Sequence, residues 1–271
     1  MLRLTRGTKV AFGAVVAVVL VFMYLPLFLV VINSFNVAAI ASWPISGFTF
    51  DWWGRAFQNE ALWAAVRNSA IVATGAMVIA LVLGTLSAFA LQRYSFFGKH
   101  TVNLLIVLPI ALPGVVTGVA FSNSFNNVLE PIGIQVGYFG MIIAHATFCI
   151  VMVFNNVFAR LRRMNPSMQE ASMDLGASLW QTFRLVTFPQ FRTAFVAGGL
   201  LAFALSFDEI VVTIFTAPPG VDTLPLWMFN QMARPNEATQ VNVIATVLIL
   251  LSFIPVYVSQ RLTRAEEEEQ R

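Results

Sequence analysis

Charge is what this chain has least of. Only 11% of its residues are Asp, Glu, Lys or Arg, against about 25% in an ordinary soluble domain, while 58% are hydrophobic and the mean hydropathy is +0.77. That balance excludes a dissolved monomer. A single cysteine, Cys149, excludes an intramolecular disulfide framework. The devices of a membrane-embedded enzyme are missing too: neither His-Glu-x-x-His nor Gly-x-Ser-x-Gly occurs. Gly98-Lys99-His100 lacks the preceding glycine and the following hydroxyl residue of a phosphate-binding loop, so the chain is not expected to bind ATP by that device. His145 and Cys149 stand at i, i+4, but two ligands are too few for a metal site, and the pair reads as helix packing. No metal, cofactor or catalytic residue is expected on this chain.

What the sequence has instead is long apolar runs. Stretches of roughly 18 to 24 residues, enough to cross about 30 Å of hydrocarbon, lie near Val10 to Ile32, Ala70 to Leu91, Val102 to Phe121, Val136 to Ala159, Ala194 to Phe215 and Val241 to Val258. They predict about six spans in one transmembrane domain over residues 1–271. Helices are expected, because each amide in lipid must be satisfied within its own segment and the runs lack the alternation of barrel strands. The first run follows Arg3, Arg6 and Lys9 in the manner of a signal peptide, but it is longer than the 7 to 15 residues of such an apolar region. It reads as a retained first helix.

Orientation follows from the basic residues. Of the 16 lysines and arginines, all but Arg55, Arg67 and Arg234 fall on one side of a six-span arrangement. By the positive-inside rule that side is cytoplasmic, with both termini. The net charge of +3 thus reports topology and gives no support to a nucleic-acid partner. Trp43, Trp52, Trp53, Trp63, Tyr138 and Trp227 fall in or beside the outward connectors, as interfacial aromatics do, for anchoring and packing or for contact with a partner protein. Glu266 to Glu269 reads as a solvated acidic tail.

Two spans carry unusual residues. Pro109 and Pro113 bracket Ile110-Ala111-Leu112 in the third, which should kink or break near its middle. The break is either a packing kink or a hinge beside a translocation path. Asp208 and Glu209 lie in the fifth span, beyond the midplane by their distance from its start. A carboxylate there costs about 2.5 to 3.5 kcal/mol on insertion scales, so the pair should face a water-filled path, or else be an outward-facing pair near the interface or a structural partner for Arg67. On a continuous helix they would point about 100° apart, one to the path and one to a neighbouring helix.

The long polar segment between the fourth and fifth spans, about residues 165–190, is ordered by local chemistry. Asn165-Pro166 and a Ser167-x-x-Glu170 capping box open one helix, Gly176 fits the left-handed residue that ends it, and Ser178 with Gln181 opens a second. Leu179, Phe183 and Val186 are expected to share a face of that second helix, and Pro189 to stop it before the next span. The prediction is helix, elbow, helix.

This segment, EASMDLGASLWQTFRLVTFPQ, resembles the signature of the membrane-spanning permease subunits of bacterial ATP-binding-cassette importers. Glu170, Ala171, Gly176, Ala177, Phe183 and Pro189 match in register, while Ser172 replaces an alanine, Val186 an isoleucine and Phe188 a leucine. The stretches LPIALPGVVTG at Leu108 to Gly118 and SFDEIVVT at Ser206 to Thr213 are similar to the spermidine and putrescine branch. The resemblance implies an all-helical type I permease in the bacterial inner membrane whose Glu170-to-Pro189 segment, Asp174 included, couples it to an ATPase. It implies a second permease subunit, two cytoplasmic ATPase subunits that use ATP and magnesium, and an extracytoplasmic solute-binding protein. Polyamine is the expected cargo, with an aminophosphonate, iron or an inorganic anion as the alternative. A membrane enzyme would need the motifs already excluded, and a scaffold would leave the elbow unexplained.

Overall fold

The computed structural model describes residues 5–39, 43–133, 137–165, 167–234 and 237–269, with 254–269 described as backbone alone. The chain divides into two compact units, Met1–Leu62 with Met228–Arg271, and Trp63–Trp227.

In the first unit, helix α1 (Arg6–Asn33) opens on Thr5, whose hydroxyl accepts from the Thr8 amide. α1 is exposed along almost its whole length, as a helix surrounded by lipid or partner chains is. The connector after it is built around buried Asn36, whose Oδ1 accepts from the Ala38 and Ser46 amides and the Ser46 hydroxyl. α2 (Asp51–Gln58) is short and amphipathic. It buries Trp52 and Ala56, while Trp53 stacks on Phe35 at 5.3 Å. α12 (Ala238–Glu269) packs against α1 and α2, and the Thr239 hydroxyl reaches the Ala38 and Ala39 carbonyls.

Helix α3 (Glu60–Arg93) leads into the second unit, followed by α4 (Lys99–Ala111), α5 (Gly114–Ser124), α6 (Gly137–Leu161), α7 (Ser167–Asp174), α8 (Leu179–Thr182), α9 (Phe188–Phe207) and α10 (Val211–Thr216). α11 (Leu224–Met232) leads back out of it. The core is formed by α3, α6 and α9. A Cβ at Gly84 would lie 2.9 Å from the Ile150 carbonyl oxygen, and one at Gly198 3.1 Å from the Val153 Cα. Backbones this close require glycine, the small-residue contact by which helices associate without a hydrophobic drive. Around it pack Ala80, Cys149, Val153, Phe154, Val157 and Phe191, all essentially buried.

Four helical runs are long and apolar enough to span alone: α1, α3, α6 and the continuous run Leu179–Phe207. α4 and the Gly114–Ile132 run pass only together, as a pair bent by 103°. Ala238–Phe253 of α12 supplies the sixth apolar segment. The third predicted span is therefore two helices with Leu112 and Pro113 between them; Pro109 lies inside α4. The fifth differs more. It does not continue from Ala194 to Phe215 but ends at Phe207, and the helix resumes at Val211. Trp43 and Trp63 are exposed as interfacial residues should be, whereas Trp52 and Trp227 are packed inside. Among the described residues the β structure consists of one isolated bridge, Asn36 with Phe48.

Candidate functional site

The elbow is rigid by its own hydrogen bonds. Gly176 has φ +86°, with open space where a Cβ would stand, so glycine is needed there for its backbone and not for room. Its amide donates to the Met173 carbonyl at 2.9 Å and the Ala177 amide to the Ser172 carbonyl at 3.1 Å, the paired closure of a Schellman motif. Two residues on, Ser178 and Gln181 form a reciprocal capping box, with the Ser178 amide donating to Gln181 Oε1 at 2.8 Å and the Gln181 amide to Ser178 Oγ at 3.3 Å. One helix stops and the next starts within four residues. Ser172, a departure from the family signature, stands 3.1 Å from the Thr182 hydroxyl and ties α7 to α8.

At the start of α7, Asn165 Oδ1 accepts from the Ser167 amide, and Ser167 is already helical. Pro166 lies outside the described residues. Pro189 does not end the helix. α8, a π turn over Phe183–Thr187 and α9 form one unbroken run, and Pro189 sits in the first turn of α9. The wider π turn just before it absorbs the hydrogen bond that a proline cannot make. It also splits the face expected of Leu179, Phe183 and Val186. Leu179 is exposed, whereas half-buried Phe183 lies 6.1 Å from Phe89 and 6.4 Å from Phe191.

The outward side of the elbow is bare. Glu170, Ala171, Asp174 and Gly176 are exposed, with Leu175, Leu179 and Trp180 projecting beside them, while Ala177 is half-buried. Behind it, a cavity of about 270 Å³ is lined by Glu170, Met173 and Met164 together with Gln92 and Arg93 of α3. Arg160 Nε donates to the Gln190 carbonyl at 2.8 Å, fixing the end of α6 to the start of α9.

At the far end of α9 lies the second feature. Asp208 is the last cap of α9 and is exposed; Glu209 is half-buried and turns back, its Oε1 accepting from the Val212 amide at 2.8 Å to open α10. The two carboxylates lie within a helix break, between Phe207 and Val211, so the 100° separation expected of a continuous helix does not apply.

His145, which the sequence suggested only as packing, pins this break. It is fully buried on α6, with Nδ1 2.8 Å from Ser206 Oγ and Nε2 3.0 Å from Thr213 Oγ1. The Thr213 hydroxyl donates to the Glu209 carbonyl at 2.8 Å, so its oxygen must accept from Nε2–H, and a neutral ring then accepts from Ser206 at Nδ1. One ring thus joins both sides of the break. Its partners are 61 and 68 residues away, beyond any local sequence signal. Cys149 donates to the Ala202 carbonyl and shares no ligand set with His145; among the described residues no cluster could hold a metal.

Residues 80–265 match the family described as binding-protein-dependent transport system inner membrane component. The chain is 35% identical over 253 residues to the spermidine/putrescine transport system permease protein PotC of Haemophilus influenzae, covering 93% of this chain and 96% of that protein. It is 33% identical over 258 residues to the putrescine transport system permease protein PotI of Escherichia coli, covering 92% and 90%. Its fold is similar to a chain of a bacterial alginate ABC transporter in complex with an alginate pentasaccharide-bound periplasmic protein, with TM-score 0.69, 17% identity and 94% of each chain covered.

Proposed function

Because this chain belongs to the family of binding-protein-dependent transport system inner membrane components, we propose that its cargo is a polyamine. It is a permease subunit of an ABC importer and performs no bond chemistry. The observation that carries the cargo reading is similarity to spermidine and putrescine permeases along nearly the whole chain. The carboxylates at the α9–α10 break suit it, since a polycation needs acidic stations where hydrocarbon would otherwise oppose it.

In the mechanism we infer, the exposed elbow around Glu170, Ala171, Asp174, Gly176, Ala177, Phe183 and Pro189 seats against a cytoplasmic ATPase. Both termini lie on that side, following the basic asymmetry. ATP and magnesium are bound by the partner, and closure of two ATPase subunits moves the elbow. Schellman and capping-box bonds keep it from flexing, and Phe183 and the Arg160–Gln190 bond pass the movement to α6 and α9. The 20 residues of α9 carry it about 30 Å to the break. There Asp208 and Glu209 line the path, formed with a second permease subunit and fed by an extracytoplasmic binding protein. Pro109 and Pro113 provide the hinge in the third span.

The test is import of labelled spermidine and putrescine by the assembled importer in proteoliposomes. Saturable, ATP-dependent uptake is expected. Uptake of 2-aminoethylphosphonate, iron or an inorganic anion with no polyamine import would overturn the cargo.

A further inference from the structure

Past α5 the chain stays helical but changes pitch. A π turn over Phe125–Leu129 and a 3-10 turn over Glu130–Ile132 follow, closed by Gly133 at φ +82°. α5 and α10 lie side by side and run the same way: Gly114 faces Val211 and, four residues on, Gly118 faces Phe215. A Cβ at Gly118 would come within 2.6 Å of the Phe215 ring, so the contact closes only with glycine. Both helices therefore finish at the same end of the second unit, where α6 begins. α6 runs from there about 37 Å, by the rise of its 25 residues, to the elbow side.

Between these ends lies a cavity of about 450 Å³, reached by Ser122, Asn126 and Glu130 from one side and Phe215 and Thr216 from the other. Among the described residues no basic side chain lines it, and the lining offers one carboxylate, an amide oxygen and two hydroxyl oxygens as acceptors, beside the Phe125 and Phe215 rings. The last carbonyls of the α5 run point toward its C-terminal end, where helix dipoles favour a cation. Acceptors with a single negative charge suit an ammonium, and the flanking rings suit the methylenes next to it.

We infer that this cavity is a receiving site for the primary-ammonium end of a linear polyamine, with Glu130 as its counter-ion. The inference rests on the polyamine reading above. The cargo would meet Glu130 before Asp208 and Glu209: Glu130 stands 16 residues beyond Gly114, which faces Val211, so roughly 24 Å of helical rise separates it from the α9–α10 break.

The test uses the assembled importer with Ala217→Cys, a lining position that supplies no acceptor side chain; native Cys149 is buried and gives no background labelling. A quaternary-ammonium thiol reagent should modify position 217 faster than a sulfonate reagent, and spermidine and putrescine should slow it in a saturable way. Glu130→Gln should abolish the preference for the cationic reagent and raise the protecting concentration about ten-fold, the worth of one modest charge contact. Glu130→Asp should retain both effects. ATPase activity of each variant confirms assembly. Absent protection, or equal protection in the Gln variant, overturns the site when spermidine is still imported. If the unmodified importer takes up no polyamine, the cargo reading fails and this inference falls with it.

Discussion

Asp208 and Glu209 are adjacent in sequence but held in different ways. Asp208 is exposed at the end of α9, whereas Glu209 spends one oxygen on the Val212 amide. Asp208→Asn should therefore lower polyamine uptake with little change in stability. Removing a charge close to the cargo loses about 1 to 4 kcal/mol for dielectrics between water and a protein surface. Glu209→Gln keeps an acceptor for the cap, whereas Glu209→Ala loses it, at about 1 kcal/mol for a helix start. Initial uptake at matched expression, with thermal unfolding of the purified variants, separates the two roles; equal behaviour of Gln and Ala at position 209 would remove the cap from the account. His145→Ala leaves the buried Ser206 hydroxyl without its ring partner, at about 1 to 3 kcal/mol, while Thr213 keeps its bond to the Glu209 carbonyl. The expected result is a lower unfolding temperature, with Asp208 still exposed; an unchanged transition would show that the ring does not pin the break. The acidic pair was legible in the sequence because charge is rare in an apolar span. The histidine's partners were not, because a ring on α6 and hydroxyls from α9 and α10 leave no spacing to read.

Local elements were legible where their chemistry is local. Gly176 at φ +86° and the Ser178–Gln181 box fall where the residue pattern puts them, since a left-handed turn and a reciprocal cap each need only a few neighbouring residues. Gly176→Pro cannot reach that φ and removes the amide that closes on Met173. The expected outcome is a membrane-inserted chain that no longer co-purifies with its ATPase and imports nothing; normal co-purification and uptake would remove the elbow's role. The reading failed where a longer-range fit decides. Pro189 reads as a stop in the sequence, but the π turn before it lets the helix continue, and Phe183 is drawn into the aromatic cluster of α3 and α9. The apolar run from Ala194 to Phe215 hid the break at Asp208, because hydropathy averages over a turn that two caps define. Gly84 belongs to the same class. Nothing in its sequence context marks it, yet Gly84→Leu would drive a side chain into the Ile150 carbonyl and separate α3 from α6. Overpacking costs about 1 to 3 kcal/mol or more, so folded yield in detergent should fall sharply, and wild-type yield would place this contact outside the core.

At the scale of the whole chain, composition alone demanded a membrane, and the apolar runs located most of the helices. Which side each loop occupies is a separate matter, and the expectation for it comes from charge. Lipid headgroups and the insertion machinery retain Lys and Arg on the cytoplasmic side, and only Arg55, Arg67 and Arg234 among the 16 basic residues oppose that sorting. The elbow and α2 are then expected on opposite sides. The choice of reporters follows from burial. Trp52 is only 8% exposed and Asn236 lies outside the described residues, so neither serves well, whereas Phe50 is 74% and Trp180 67% exposed. With Cys149 buried, single cysteines at positions 50 and 180 can be read against an essentially silent background. An impermeant thiol reagent added to sealed right-side-out vesicles should label position 50 at once and position 180 only after the membrane is opened. Inverted vesicles should reverse the order. Because docked ATPase subunits would cover the elbow, position 180 should also be shielded in the assembled importer and exposed in the permease alone. Labelling of position 180 from the outside would invert the topology and move the elbow away from any cytoplasmic ATPase, whatever the similarity of the chain to known permeases.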